Sequence, residues 1–232
     1  MRPRRTSTRL VLTAAALGVR AASTALPADA LRLASSLYML SSPPQLVALV
    51  TGGGAQLAPW LLATPGASNS ILEFSVPYAK ASLAAVLGHD PPQSVNAAVA
   101  ESMAERAYER SVALGGGERS VGLGCTAALR SEPMRRGEHR CYIAVRSAAG
   151  VHCLALTLAK GARSREAEDA VVARAALATL ARACGVDPPP LPGGGPFWKL
   201  AAAVLEASDD PLAPEVAARL DAEHADETFV AT

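Results

Sequence analysis

The sequence lacks the patterns that hold metals or staple small secreted folds. Its four cysteines, Cys125, Cys141, Cys153 and Cys184, are widely spaced and form no C-x-x-C pair, so neither a zinc site nor a disulfide framework is expected. The four histidines, His89, His139, His152 and His224, are equally scattered, and neither a metal nor a cofactor is expected. Long apolar runs are missing too. The longest, Leu10 to Val19, is well short of the ~18 residues that cross a bilayer, so no membrane-spanning helix and no membrane partner are expected. Lysine is scarce: Lys80 is one of only three in 232 residues. Acidic residues are absent before Asp29, whereas Arg2, Arg4, Arg5, Arg9 and Arg20 precede it. Without residues 1–28 the chain has 17 basic and 21 acidic residues, a net charge of −4. That balance does not suit a nucleic-acid partner, which calls for a basic stripe.

What is present is core-forming material. Half of the residues are hydrophobic, which excludes disorder throughout and supports one large domain or two small ones. The Arg-rich, Ser/Thr-containing start has the composition of an organelle transit peptide, so residues 1–28 are expected to be removed on import into a chloroplast or mitochondrion. The rival reading is a secretory signal with Leu10 to Val19 as its apolar core; a cytoplasmic location is a further alternative.

The organising stretch is Leu46 to Leu62. Leu46 to Val50 is short and apolar enough for a fully buried strand, and Gly52-Gly53-Gly54 stops it abruptly before a helix. Glycines at that position allow backbone N–H groups to approach an anion. They serve equally as a tight turn that packs helix on strand. Around this stretch the chain reads as helix (Ala30 to Leu40), strand, Gly turn, helix (Gly54 to Ala63), strand (Ile71 to Val76) and helix (Pro77 to Leu87, stopped by Gly88). A long helix, Val95 to Leu114, follows with Ser94 as its expected cap and Val95, Val99, Met103, Ala107 and Leu114 as its inner stripe. A strand (Ser120 to Thr126), a hairpin (Arg140 to Arg146 with Val151 to Ala159) and a helix capped by Ser164 (Glu166 to Cys184) complete the compact part. Lys160, Arg163 and Arg165 gather at the last strand-to-helix junction, either to hold a phosphate or as a solvated loop paired with Glu166, Glu168 or Asp169. Residues 186–196 read as a Pro/Gly linker, and 197–232 as a helical tail or the start of a further domain.

This order, over about residues 30–185, resembles the CinA C-terminal domain, whose bacterial members include nicotinamide mononucleotide deamidases. Thr64-Pro65-Gly66-Ala67-Ser68-Asn69-Ser70-Ile71-Leu72-Glu73 is similar to the family's segment between its catalytic turn and second strand. Tyr78, Gly124 and Gly161-Ala162-Arg163 match further family elements. Val121 to Thr126 and Gly137-Glu138-His139-Arg140 resemble a eukaryotic branch whose members carry a nucleotidylyltransferase-like domain downstream. The resemblance implies an α/β fold, a three-layer α/β/α sandwich with a mixed sheet, spanning residues 29–185. It also implies a nucleotide-like small-molecule ligand and a homo-oligomer. Gly52, Gly53, Gly54, Tyr78, Gly124, Lys160, Arg163 and Arg165 are the expected ligand-binding residues.

The family's catalytic turn reads E-S-C-T-G-G, and the aligned stretch here is Thr51-Gly52-Gly53-Gly54-Ala55-Gln56. Its nucleophilic serine falls on Gly52, its activating lysine on Leu83 and a second-turn hydroxyl on Leu123. The expectation is a degenerate binding domain of pyridine nucleotide metabolism rather than an enzyme. Two alternatives stand beside it: an amidohydrolase using Ser68 or Thr126 as nucleophile with Lys80 as base, and a purely structural or oligomerisation domain.

Overall fold

The computed structural model describes residues 26–187. Apart from residues 26–28 and 186–187, the expected leader, linker and tail lie outside them. Five strands, β1 (Gln45–Thr51), β2 (Ile71–Ser75), β3 (Ser120–Ala128), β4 (His139–Ser147) and β5 (Gly150–Leu158), form one sheet in the order β2-β1-β3-β4-β5. β2, β1 and β3 are parallel, whereas β3, β4 and β5 are antiparallel. Five helices, α1 (Ala28–Tyr38), α2 (Leu57–Leu62), α3 (Lys80–Leu87), α4 (Ala97–Ala113) and α5 (Arg165–Ala183), cover the two faces.

β1 explains the layering. Leu46, Ala48 and Val50 enter a core shared with α1, α2 and α5, while Val47 and Leu49 enter one shared with α3 and α4. A strand buried on both faces has no polar alternation, which is why its sequence is a continuous apolar run. The result is a three-layer α/β/α sandwich on a mixed sheet. Tyr38 locks α1 to α2 through a 2.9 Å hydrogen bond donated to the Leu61 carbonyl. Arg174 of α5 pairs with Asp29 at 3.0 Å and stacks over Trp60.

On the other face, α4 lies directly on β3. A Cβ at Gly122 would stand 2.2 Å from the Ala104 carbonyl oxygen, and one at Gly124 2.2 Å from that of Ala100. Gly124, one of the expected ligand-binding residues, is therefore a packing glycine in mid-strand. Val99, Met103 and Ala107 form the inner stripe as expected, but Leu114 is exposed. The cap also differs. The Asn96 side-chain oxygen, not that of Ser94, accepts the Val99 N–H at 2.8 Å, and the Ser94 carbonyl accepts from the Thr126 hydroxyl at 2.7 Å. The chain between β1 and β2 thus crosses one face, the chain between β2 and β3 crosses the other, and the crevice between them opens at the carboxyl ends of β1 and β3.

Candidate functional site

A cavity of about 620 Å³ opens at that edge. Its floor is Thr51 and Gly52 from β1's end and Thr126 to Leu129 from β3's end. Tyr78, Lys80 and Leu83 line it from the α3 side, Ser94 and Val95 from the approach to α4, and Arg135, Glu138, His139 and Arg165 from the remaining side. An adjoining recess of about 510 Å³ shares Thr51, Gly52, Tyr78 and Arg165 and adds Gly53 and Asp169.

Arg165 organises the mouth. As the first residue of α5, after the Ser164 cap whose hydroxyl accepts the Ala167 N–H, it points across the sheet edge. Its guanidinium donates to the Gly52 carbonyl at 3.1 Å, the Tyr78 hydroxyl at 2.9 Å and the Arg130 carbonyl at 2.8 Å. Three of the expected site positions, Gly52, Tyr78 and Arg165, are therefore in direct contact. The Thr51 hydroxyl, donating to the Pro77 carbonyl at 3.0 Å, ties the Tyr78 segment to β1.

At the far end of the glycine turn the protein supplies its own anion. Asp169 accepts from the N–H groups of Gly54 at 2.7 Å, Ala55 at 3.3 Å and Gln56 at 3.0 Å. The N–H of Gly54, one of the expected ligand-binding residues, is thus capped from within the protein. Hydrogen bonds to a charged group contribute about 1.5–3 kcal/mol before solvent weakens them, so Asp169→Ala is expected to lower unfolding stability by about 2–3 kcal/mol, and Asp169→Asn by less. Urea unfolding checks this, and an unchanged midpoint would refute it.

The three cations adjacent in sequence are sent in three directions. Lys160 donates to the carbonyls of Arg135 and Arg136 at 2.7 and 3.0 Å, clamping the 130–138 loop. Arg163 turns inward: it is 3% exposed, and none of its guanidinium nitrogens has a hydrogen-bond partner. Burial lowers its pKa, opposed by the charge of Glu168. Neither Lys160 nor Arg163 lines the cavity or its adjoining recess, whereas Arg165 lines both.

The alternative catalytic residues also separate. Ser68 sits in an exposed turn at the amino end of β2, with a five-residue strand of about 3.3 Å per residue between it and the cavity edge. Lys80 and Thr126 both line the cavity. Lys80 is paired with Asp90 at 2.9 Å, and the Thr126 proton is committed to the Ser94 carbonyl. Leu83 borders the cavity, but Leu123 is fully buried in the core on the α1, α2 and α5 side. Cys125, against Gly53 and Gly54, is no substitute nucleophile, since burial pushes its thiol well above the usual value of 9.0. Among the described residues no group of three or more His, Cys, Asp or Glu is placed to hold a metal ion, and no helix is long and apolar enough to cross a membrane.

Two site residues had no clear signal in the sequence. His139 opens β4 at the cavity wall, and its Nδ1 lies 2.6 Å from Glu168 Oε1 on α5. The partners are 29 residues apart, and only the docking of α5 on β4 brings them together.

No protein-family model matches the chain, and no curated protein matches it. Solved structures do. The competence/damage-inducible protein CihA from Agrobacterium tumefaciens is 20% identical, covering 70% of this chain and 99% of that one, with a TM-score of 0.53. A competence-damaged protein (CinA) superfamily protein from Escherichia coli is 20% identical over 68% of this chain and 94% of its own, with a TM-score of 0.50. The sandwich described above is a CinA-like fold.

Proposed function

We propose that this CinA-like domain binds an anionic, nucleotide-like small molecule in the 620 Å³ cavity and has no serine amidohydrolase chemistry. One observation carries the reading. At the carboxyl end of β1, where the family's serine aligns, residue 52 is a glycine with φ +76° whose Cβ would stand 1.9 Å from the Ala127 carbonyl oxygen. The position has neither a hydroxyl nor room for one. The cavity around it is nevertheless kept open and lined by Arg165, Arg135 and Lys80. Amide hydrolysis through a covalent intermediate needs an activated nucleophile; binding needs only the cavity and its cations.

Nicotinamide mononucleotide is the probe to use, because it carries the phosphate and ribose that the family resemblance implies. Calorimetry should detect its binding to the parent chain, and Arg165→Ala should weaken that binding about 10- to 100-fold, the equivalent of one charge-assisted contact. Ammonia release should stay at the level of the buffer. A parent that fails to bind, or an Arg165→Ala protein that binds as tightly, would overturn the reading. The amidohydrolase alternative keeps one point in its favour, the presence of Lys80 and Thr126 on the same cavity wall; ammonia release lost on Lys80→Ala would promote it.

A further inference from the structure

The two edges of the sheet are built differently. β2 has the devices that keep an exposed edge from pairing: it is only five residues long, it carries Glu73 in an ion pair with Arg110 at 2.9 Å, and Pro77 follows closely. β5 has none of them. Its nine residues, Gly150 to Leu158, include no proline, lysine, arginine, aspartate or glutamate, and their register with β4 runs from end to end without a bulge. The hairpin turn decides which of its backbone groups face outward. Only Ala148 and Ala149 join β4 to β5, so the closing pair, Ser147 and Gly150, is hydrogen-bonded, and bonded pairs alternate from there. The even-numbered residues of β5 therefore bond to β4, and the N–H and C=O groups of Val151, Cys153, Ala155 and Thr157 point away from the sheet. All four residues are exposed, and among the described residues nothing pairs with their backbone.

We propose that β5 pairs antiparallel with β5 of a second copy of this chain, about a two-fold axis at Leu154, joining the two five-stranded sheets into one. This register satisfies every outward group at once: Val151 stands opposite the partner's Thr157 and Cys153 opposite the partner's Ala155, and the symmetry repeats both pairs. Shifting the pairing by two residues leaves Val151 or Thr157 opposite residues outside the strand. Charge selects the same occupant. Two copies bring no like charges together, because β5 has none, and its one titratable side chain, His152, meets the partner's Leu156 rather than its own copy. A charged peptide finds no counter-charge within the strand. Residues 197–232 carry a helical pattern in sequence, so the chain's own tail is not the expected strand. None of Gly150 to Leu158 lines the cavity, so pairing leaves the ligand site open.

The test uses the full chain. Light scattering should give the mass of two chains, and Ala155→Pro, which removes an outward N–H and leaves the bonds to β4 in place, should raise the dimer dissociation constant about 10-fold or more. Should that variant fail to fold, Thr157→Lys, at an exposed position, puts a charge on the edge and is expected to weaken the dimer in the same direction. Leu154 reports the register. On the axis it forms a non-hydrogen-bonded pair with its own copy, Cα atoms about 4.5 Å apart, inside the range that a disulfide spans. Leu154→Cys should therefore form a disulfide-linked dimer on oxidation, and His152→Cys, whose copies stand about 13 Å apart along the strands, should not. Both are made together with Cys153→Ser, so that the exposed native thiol takes no part. A monomeric parent, an oligomer indifferent to the edge variants, or a disulfide that forms as readily at position 152 as at 154 would overturn the proposal.

Discussion

Gly52→Ser is expected to destabilise the protein by about 4 kcal/mol or more, and not to create an amidohydrolase. Residue 52 has φ +76°, a region that costs an L-residue about 1–3 kcal/mol. The larger cost is steric. The new Cβ would lie 1.9 Å from the Ala127 oxygen and 2.9 Å from its carbonyl carbon, and Ala127 sits in β3, in register with Cys141 of β4. Backbone in the middle of a five-stranded sheet does not move aside as a flexible side chain does, so relief has to come from breaking the β1 end. Displacing Gly52 also breaks the contact from its carbonyl to Arg165, and with it the mouth of the cavity. The triple change Gly52→Ser, Leu83→Lys, Leu123→Thr fares no better: a lysine at 83 would reach the cavity, whereas a threonine at 123 buries its hydroxyl in the opposite core. Urea unfolding and ammonia release are the two measurements. A triple variant that is as stable as the parent and hydrolyses nicotinamide mononucleotide would show that the turn can be rebuilt as a catalytic one.

Gly124→Ala should cost about 3 kcal/mol or more while leaving the affinity of the folded protein for its ligand unchanged. The added methyl group would stand 2.2 Å from the Ala100 oxygen, 2.5 Å from the Ala104 nitrogen and 2.8 Å from the Met103 Cβ. Two of these neighbours are helix backbone, so α4 as a whole has to rise off β3, and overpacking against a rigid element lies at the upper end of the usual 1–3 kcal/mol or beyond it. The same lift would loosen Val99, Met103 and Ala107 from the core they share with Leu83 and Val47. The denaturation midpoint reports the first expectation and calorimetry the second. Normal stability with lost binding would return Gly124 to the ligand site.

The layered fold was legible because its signals are local or periodic. β1 announces itself as a both-faces-buried strand by its uninterrupted apolar run. The start of α5 was marked by Ser164, which does cap it, and the end of α3 by Gly88, which takes φ +79°. α4 was legible from its stripe, although its cap was not: Ser94 and Asn96 both have cap-forming side chains, and it is Asn96 that accepts the Val99 N–H. Adjacency along the chain suggested a cluster of Lys160, Arg163 and Arg165, but a chain turning from strand into helix sends neighbouring side chains in different directions, and only Arg165 reaches the cavity. Ser68 read as an alternative nucleophile, yet in a parallel sheet the connection returns to the amino edge, and Ser68 lies there, at the far end of β2 from the cavity. The glycine turn spoke for an anion, and its anion proved to be Asp169, 115 residues away from Gly54. Local residue patterns set which segments become strands and helices, and residue 52, a glycine, carries no nucleophile in any fold. Tertiary packing alone decided which side chains meet at the carboxyl edge of the sheet, since a hydrogen bond between α5 and β1 or β4 leaves no trace in the local pattern of either.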